Sequence, residues 1–175
     1  GMRILDRERR DAMFSIYAFC KKTDSIADSK QLKKEKKRKI NKLKKEINKI
    51  YKNNLNNNFR KNLKHYIDKY QLDKKYFFDI IKGVEMDINK IMICPNNKIF
   101  RLYCYRVAGA VGIISLKIFG DYNIQTRTFG LYLAEALQIT NILRDIKQDA
   151  NMGRMYIPIE ILNSVGIKKN KIISI

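Results

Sequence analysis

Gln138, Asn141, Asp145 and Asp149 stand at offsets 0, 3, 7 and 11, a spacing that puts all four side chains on one face of a helix. Two carboxylates and two side-chain amides along one stripe offer a hard cation the oxygen ligands it prefers. Arg144, next to Asp145, adds a forked donor suited to phosphate. Surface helices also carry polar stripes, so this pattern alone leaves both readings open. A second copy tips the balance. Tyr17, Lys21, Asp24 and Asp28 stand at offsets 0, 4, 7 and 11, with Ile16, Cys20 and Ala27 as apolar neighbours, so this stripe is not a fully solvated face. Two helices that each carry D-x-x-x-D can face one another across a cavity and hold Mg²⁺. The natural ligand is then a diphosphate, because Mg²⁺ is usually shared between a few carboxylates and phosphate oxygens.

Helices must position these groups, and the apolar periodicity supplies them throughout the chain. The spacing predicts helices over 6–29, 31–52, 59–70, 74–92, 97–119 and 124–150, and a short one after Pro158. The asparagine run at 53–58, Cys94–Asn97 and Gly120–Asn123 read as turns, and Asp73 as an N-cap. In the helix over 74–92, Phe77, Phe78, Ile81, Val84, Ile88 and Ile91 read as core; Asp87 can face the cavity, but a surface carboxylate is the preferred reading. Phe14 is expected in plain core packing. Ala108, Gly109, Ala110 and Gly112 predict either a close helix approach or space for a ligand. No segment alternates convincingly as a strand.

Composition narrows the function classes. With 175 residues, 45% of them hydrophobic, 1–175 reads as one domain with a real core. The sole histidine, His65, lies among lysines, which removes Ser-His and Cys-His catalysis and His-rich zinc sites. Cys20, Cys94 and Cys104 form no C-x-x-C pair, which points to a reduced, cytoplasmic compartment. VAGAVGIISLKIFG reads as too short and interrupted to span a membrane, so the protein is expected to be soluble or peripheral. The net charge of +20 is concentrated in 30–64, where 15 Lys or Arg face only Glu35 and Glu46. That stretch lacks any nucleic-acid fold signature and has little aromatic interleaving, so no specific nucleic-acid partner is expected. Anionic lipid headgroups suit the charge better, although a solvated face is the plainest reading.

The strings IYAFCKKTDSIAD, YCYRVAGAVG and LQITNILRDIKQDANMGRMYIP resemble the first aspartate motif, the tyrosine motif and the second aspartate motif of the squalene/phytoene synthase family. The likeness covers most of the chain outside 30–70. It implies an all-α isoprenoid synthase-type helical bundle around a central cavity. It also implies head-to-head condensation of two farnesyl or geranylgeranyl diphosphates to squalene, presqualene diphosphate or phytoene through a cyclopropyl intermediate. By the same resemblance Asp24, Asp28, Asp145 and Asp149 bind Mg²⁺, and Lys21, Gln138, Asn141, Arg144 and Arg154 hold the substrate diphosphates or line the cavity. Tyr103 and Tyr17 are its catalytic tyrosines. The resemblance leaves NADPH open as a second cofactor. Ser25 follows Asp24 where the family commonly has a further Asp, and Lys21 stands where Arg is usual. Family members carry a further helix before Arg3 and several after Ile161, so the bundle is expected to be incomplete relative to the family. The alternative is an inactive member acting as an assembly factor. Four retained carboxylates argue against that alternative.

Overall fold

The computed structural model describes residues 4–167. Helix α1 spans Arg7–Asp28 and α2 Lys33–Tyr51; α3 spans Asn58–Lys69 and α4 Lys74–Ile88. Helix α5 covers Asn97–Cys104, followed by a π-helical turn, Tyr105–Gly109, and by α6, Ala110–Phe119. Helices α7 (Ile124–Arg144), α8 (Ile146–Asn151) and α9 (Ile159–Ser164) complete the order. The all-α expectation holds. The one departure among the described residues is an isolated parallel bridge between Ile93 and Met155.

Side-chain caps start several of these helices. Asp6, Asn57, Asn96 and Asn123 each accept a backbone N–H three residues on, and Thr126 completes a capping box with Asn123. Asn53, in the left-handed region at φ 58°, ends α2, so the asparagine run stops one helix and caps the next. Asp73 sits at the N-cap of α4 without a capping bond; its carboxylate instead pairs with Lys117 on α6.

Helix α4 lies at the centre, packed against α1 and α2 on one side and against α6 and the π-turn on the other. Phe19 of α1 meets Phe77 of α4 edge-on at 5.2 Å, and Ile40, Leu43, Ile47 and Ile50 of α2 close that core. Helix α7 covers the far side of the π-turn and α6. The close approach expected at the small residues is real: a Cβ on Gly109 would lie 3.1 Å from Leu131, and one on Gly112 3.4 Å from Ala134. By length and composition Asn97–Phe119 would pass for a membrane span, contrary to the sequence expectation for its second half. Here it packs inside the bundle against α4 and α7.

Three expectations are overturned. Ile91, read as core, is 46% exposed, because the helix has already ended at Ile88. Phe14 is 49% exposed, because Ala12, Ile16, Phe19 and Thr23 form the buried face of α1 and Phe14 lies opposite them. Asp87 is not a surface carboxylate. It follows Tyr76, Ile80 and Gly83 along the buried face of α4, and the helix ends just after it, at Ile88 rather than residue 92.

Candidate functional site

The two aspartate stripes reach one cavity by different routes. Asp24 and Asp28 lie in the last two turns of α1. Asp145 breaks the long helix expected over 124–150: its backbone (φ −102°, ψ 11°) ends α7, and α8 starts at the next residue. The i, i+4 relation survives the break, since the Asp149 N–H still donates to the Asp145 carbonyl at 2.9 Å. Gly153, at φ 71°, then reverses the chain. The Met155 N–H donates to Met92 O at 3.1 Å, and the Cys94 N–H to Met155 O at 2.7 Å. That clamp to the α4–α5 connection carries Arg154 and Tyr156 back across the cavity.

The result is a polar cavity of about 280 Å³ lined by Asp24, Asp28, Asp145, Asp149, Gln138, Asn141, Tyr103 and Arg154, with Asp87 and Tyr156 in its wall. A second, mostly apolar cavity of about 390 Å³ adjoins it and shares Val107, Gln138 and Asn141. Met13, Ile16, Cys20, Ala108, Val111 and Leu137 are among its walls, so the small residues of the tyrosine motif also leave ligand-sized space. Three expected site residues lie outside the polar cavity. Tyr17, 57% exposed, lines the apolar cavity, while Lys21 borders an open groove beside Asp24 and Asp28. Arg144 turns onto its neighbour Asp145, donating from Nε at 2.8 Å and Nη2 at 2.6 Å.

Sequence reasoning missed a cluster at the base. The Asp87 carboxylate accepts from Tyr156 Oη at 2.7 Å and from Tyr103 Oη at 3.2 Å, and the two tyrosine rings stack with centroids 5.0 Å apart. The available signal was Asp87's place on the apolar stripe of α4, where an unpaired carboxylate would be costly. Burial pushes its carboxyl up to about 6, against the pull of Tyr156, Arg154 and Tyr103. Burial, helped by Asp87, raises the Tyr103 hydroxyl well above its ordinary value, so it stays a proton donor at neutral pH.

Electrostatics in the cavity are those of carboxylates crowded together. Burial first, and then the charge of Asp28, raises Asp24 to about 6, while Arg154 pulls the other way. Burial raises Asp149 as well, and the hydrogen bond from Arg144 lowers Asp145. Such a site gains from any cation that enters it. Among the described residues no three ligating side chains converge tightly enough to cage a metal. Asp24, Asp28, Asp145 and Asp149 would therefore hold a divalent ion only together with oxygen ligands from outside the chain.

A sequence profile described as squalene/phytoene synthase matches residues 1–174. The chain belongs to the squalene/phytoene synthase family. It is 38% identical to a presqualene diphosphate synthase of Rhodopseudomonas palustris, over 95% of this chain and 60% of that protein. It is also 38% identical to one of Zymomonas mobilis, over 95% of this chain and 57% of that protein. A chloroplastic phytoene synthase of Daucus carota is 32% identical, over 95% of this chain and 43% of its own length. Among solved structures, the fold matches squalene synthase HpnC from Alicyclobacillus acidocaldarius with a TM-score of 0.87, at 24% identity, covering 97% of this chain and 64% of that one. It matches a dehydrosqualene synthase with a TM-score of 0.80, at 25% identity, covering 98% of this chain and 59% of that one. The chain thus spans about three fifths of the bacterial relatives it resembles.

Proposed function

We propose that this chain carries the diphosphate-ionising centre of a Mg²⁺-dependent prenyltransferase that joins two prenyl diphosphates head to head, giving squalene, presqualene diphosphate or phytoene. The observation that carries the reading is the shared wall: a cavity lined by both aspartate pairs opens onto an apolar cavity through Gln138 and Asn141. A diphosphate would sit among Asp24, Asp28, Asp145 and Asp149, with its prenyl chain along Ile16, Val111 and Leu137. Bound Mg²⁺ would neutralise the charge that builds on the departing diphosphate. Arg154 and Lys21 add positive charge beside it, and Asn141 and Gln138 orient the polar end. Tyr17 and Tyr103 face the two ends of the reacting region, where aromatic faces attract an allylic cation. Asp87 and Tyr156 hold the Tyr103 hydroxyl, the group placed to donate or receive a proton during rearrangement.

Because the chain spans three fifths of its bacterial relatives, the test is built to read each stage. Labelled farnesyl and geranylgeranyl diphosphates are supplied with Mg²⁺, with and without NADPH, beside an Asp145→Ala control. The expected outcome is Mg²⁺-dependent consumption of substrate that the control loses by at least about 100-fold. Neither consumption nor Mg²⁺-dependent binding of a diphosphate would refute the enzyme reading and leave an inactive family member. Peripheral contact with anionic lipid, in a reduced cytoplasm, belongs to the same proposal. Lys34, Lys37, Arg38, Lys42 and Lys45 share the exposed face of α2 and have no ion-pair partner among the described residues. Co-sedimentation with phosphatidylglycerol vesicles that is absent with phosphatidylcholine, and lost at high salt, would support that contact; equal recovery on both would refute it.

A further inference from the structure

The polar cavity contains two ion pairs, and each uses one carboxylate of a different aspartate motif. Arg144 holds Asp145, but the two are adjacent residues and Arg144 is 66% exposed, so this pair is worth little and opens freely. Arg154 is different. Its Nη1 lies 2.9 Å from Asp28 Oδ1, and its side chain is only 14% exposed while that of Asp28 is 51% exposed. The Arg154 guanidinium is a fixed, enclosed cation, with Asp87 and Tyr156 among its electrostatic neighbours. The Asp28 carboxylate is the mobile, solvent-facing partner. Asp24 and Asp149, the other carboxylate of each motif, have no ion pair among the described residues.

Resting on the reading that this cavity takes a metal and a diphosphate, we propose that Arg154 exchanges partners during binding. It pairs with Asp28 as the structure shows, and passes to a diphosphate oxygen when metal and diphosphate arrive together, releasing Asp28 to the metal. The exchange makes each ligand open the site for the other. Metal alone finds Asp28 occupied by a guanidinium, and diphosphate alone finds Arg154 occupied by a carboxylate. Together they separate the pair and satisfy both halves. Binding of metal and diphosphate is therefore cooperative through one ion pair, and the coupling is reciprocal by thermodynamic necessity. It also disfavours loading of the site by free Mg²⁺ without substrate. The geometry permits the motion because Asp28 borders three spaces: the polar cavity, the groove beside Lys21, and a further cavity of about 280 Å³ between α1 and α4 that also contains Arg154.

The prediction has opposite signs for opposite ligands. Lys21→Gln, which removes a cation beside the same carboxylates without touching the pair, reads how much of each shift is charge alone. A tightening of Mg²⁺ in Lys21→Gln equal to that in Arg154→Gln overturns the exchange. Calorimetric titrations on the full chain are made with Mg²⁺ alone, with inorganic diphosphate alone, and with diphosphate at saturating Mg²⁺. For Arg154→Gln, binding of Mg²⁺ alone tightens about 5-fold, while binding of diphosphate in Mg²⁺ weakens about 10-fold. For Asp28→Asn, binding of diphosphate alone tightens about 5-fold because Arg154 is freed, while binding in Mg²⁺ weakens. Asp28 faces solvent, so this variant keeps its helix and decides the matter even if Arg154→Gln fails to fold. If the parent chain binds Mg²⁺ and diphosphate together but removing either partner leaves the single-ligand affinities unchanged or weaker, the exchange is overturned and the synthase reading stands. If the parent chain binds no diphosphate with Mg²⁺, both fall.

Discussion

Replacing Asp87 with Asn isolates the cost of keeping a carboxylate under the tyrosine pair. Burial lifts the folded-state value from the ordinary 3.8 to about 6, and each unit is worth about 1.4 kcal/mol. The proton is held more tightly in the folded chain than in the unfolded one. Its contribution to stability is therefore fully present below about pH 4 and is lost as pH rises through 6, about 3 kcal/mol in all. About 2 kcal/mol of that loss falls between pH 4.5 and 7.5. Asn cannot ionise and escapes it. The amide keeps a single acceptor oxygen, so Tyr103 or Tyr156 loses a hydrogen bond, a penalty of about 1 kcal/mol that is the same at both pH values. The assay is urea unfolding of both proteins followed by circular dichroism in a metal chelator. The expected result is that the stability of Asp87→Asn relative to the parent rises by about 2 kcal/mol from pH 4.5 to 7.5. A relative stability independent of pH, or falling over that range, would show that Asp87 is ionised and well solvated, and would refute the argument.

Tyr103→Phe keeps the stack on Tyr156 but gives up the hydroxyl bonded to Asp87. Stability should change by no more than about 1 kcal/mol while product formation drops at least 10-fold, so an equal fall in both would point to packing alone. Glu46→Ala removes the carboxylate to which Arg60, 7% exposed, donates from Nε at 2.7 Å and Nη2 at 2.9 Å, leaving its charge only the Asn54 oxygens. It should cost about 3 kcal/mol in urea unfolding, and replacing both residues with apolar ones should recover most of it. Gly83→Ala would bring a Cβ within 2.5 Å of Val107 Cγ1 and 3.1 Å of Arg106 Cβ. The α4–π-turn contact should lose about 2 kcal/mol, checked by thermal unfolding; an unchanged melting temperature would show that the turn yields freely.

The helices were legible because their apolar stripes repeat at 3.6 residues, and the asparagine caps were legible because short polar side chains compete for free N–H groups. Which side of a helix meets the rest of the bundle is a matter of packing, and there local pattern misled. Phe14 is as apolar as Phe19, but only Phe19 lies on the side of α1 that α4 covers. Asp87 looked like an exposed acid because its charge was read before its position between Gly83 and the end of α4. The π-turn, the break at Asp145 and the bridge from Ile93 to Met155 depend on contacts remote in sequence, and no periodicity announces them. Arg154 reaches Asp28 through that bridge, so its assignment came from the resemblance and its partner from the structure.

On the proposed function, helix α7 separates ionisation of the substrate from its condensation. Its inner side supplies Gln138, Asn141 and the buried Ile142, with the half-exposed Leu137 at its edge, while Phe129, Tyr132, Leu133 and Leu143 stand exposed on the other. Leu137 also lines the apolar cavity, so that cavity is walled on one side by a helix with nothing behind it among the described residues. On the proposed function, ionisation of a prenyl diphosphate needs carboxylates, metal and a positive partner for the leaving group, and the polar cavity supplies the carboxylates and Arg154. Carbon–carbon bond formation needs the resulting cation kept from water, which takes a closed apolar wall. The two requirements separate experimentally. With labelled farnesyl diphosphate and Mg²⁺, this chain should release diphosphate and yield mainly the water-captured alcohols, with little condensed product. Both should disappear in Asp145→Ala. Condensed product in excess over alcohol would mean that α1, α6 and α7 alone shield the cation, and that the exposed side of α7 has no part in the reaction.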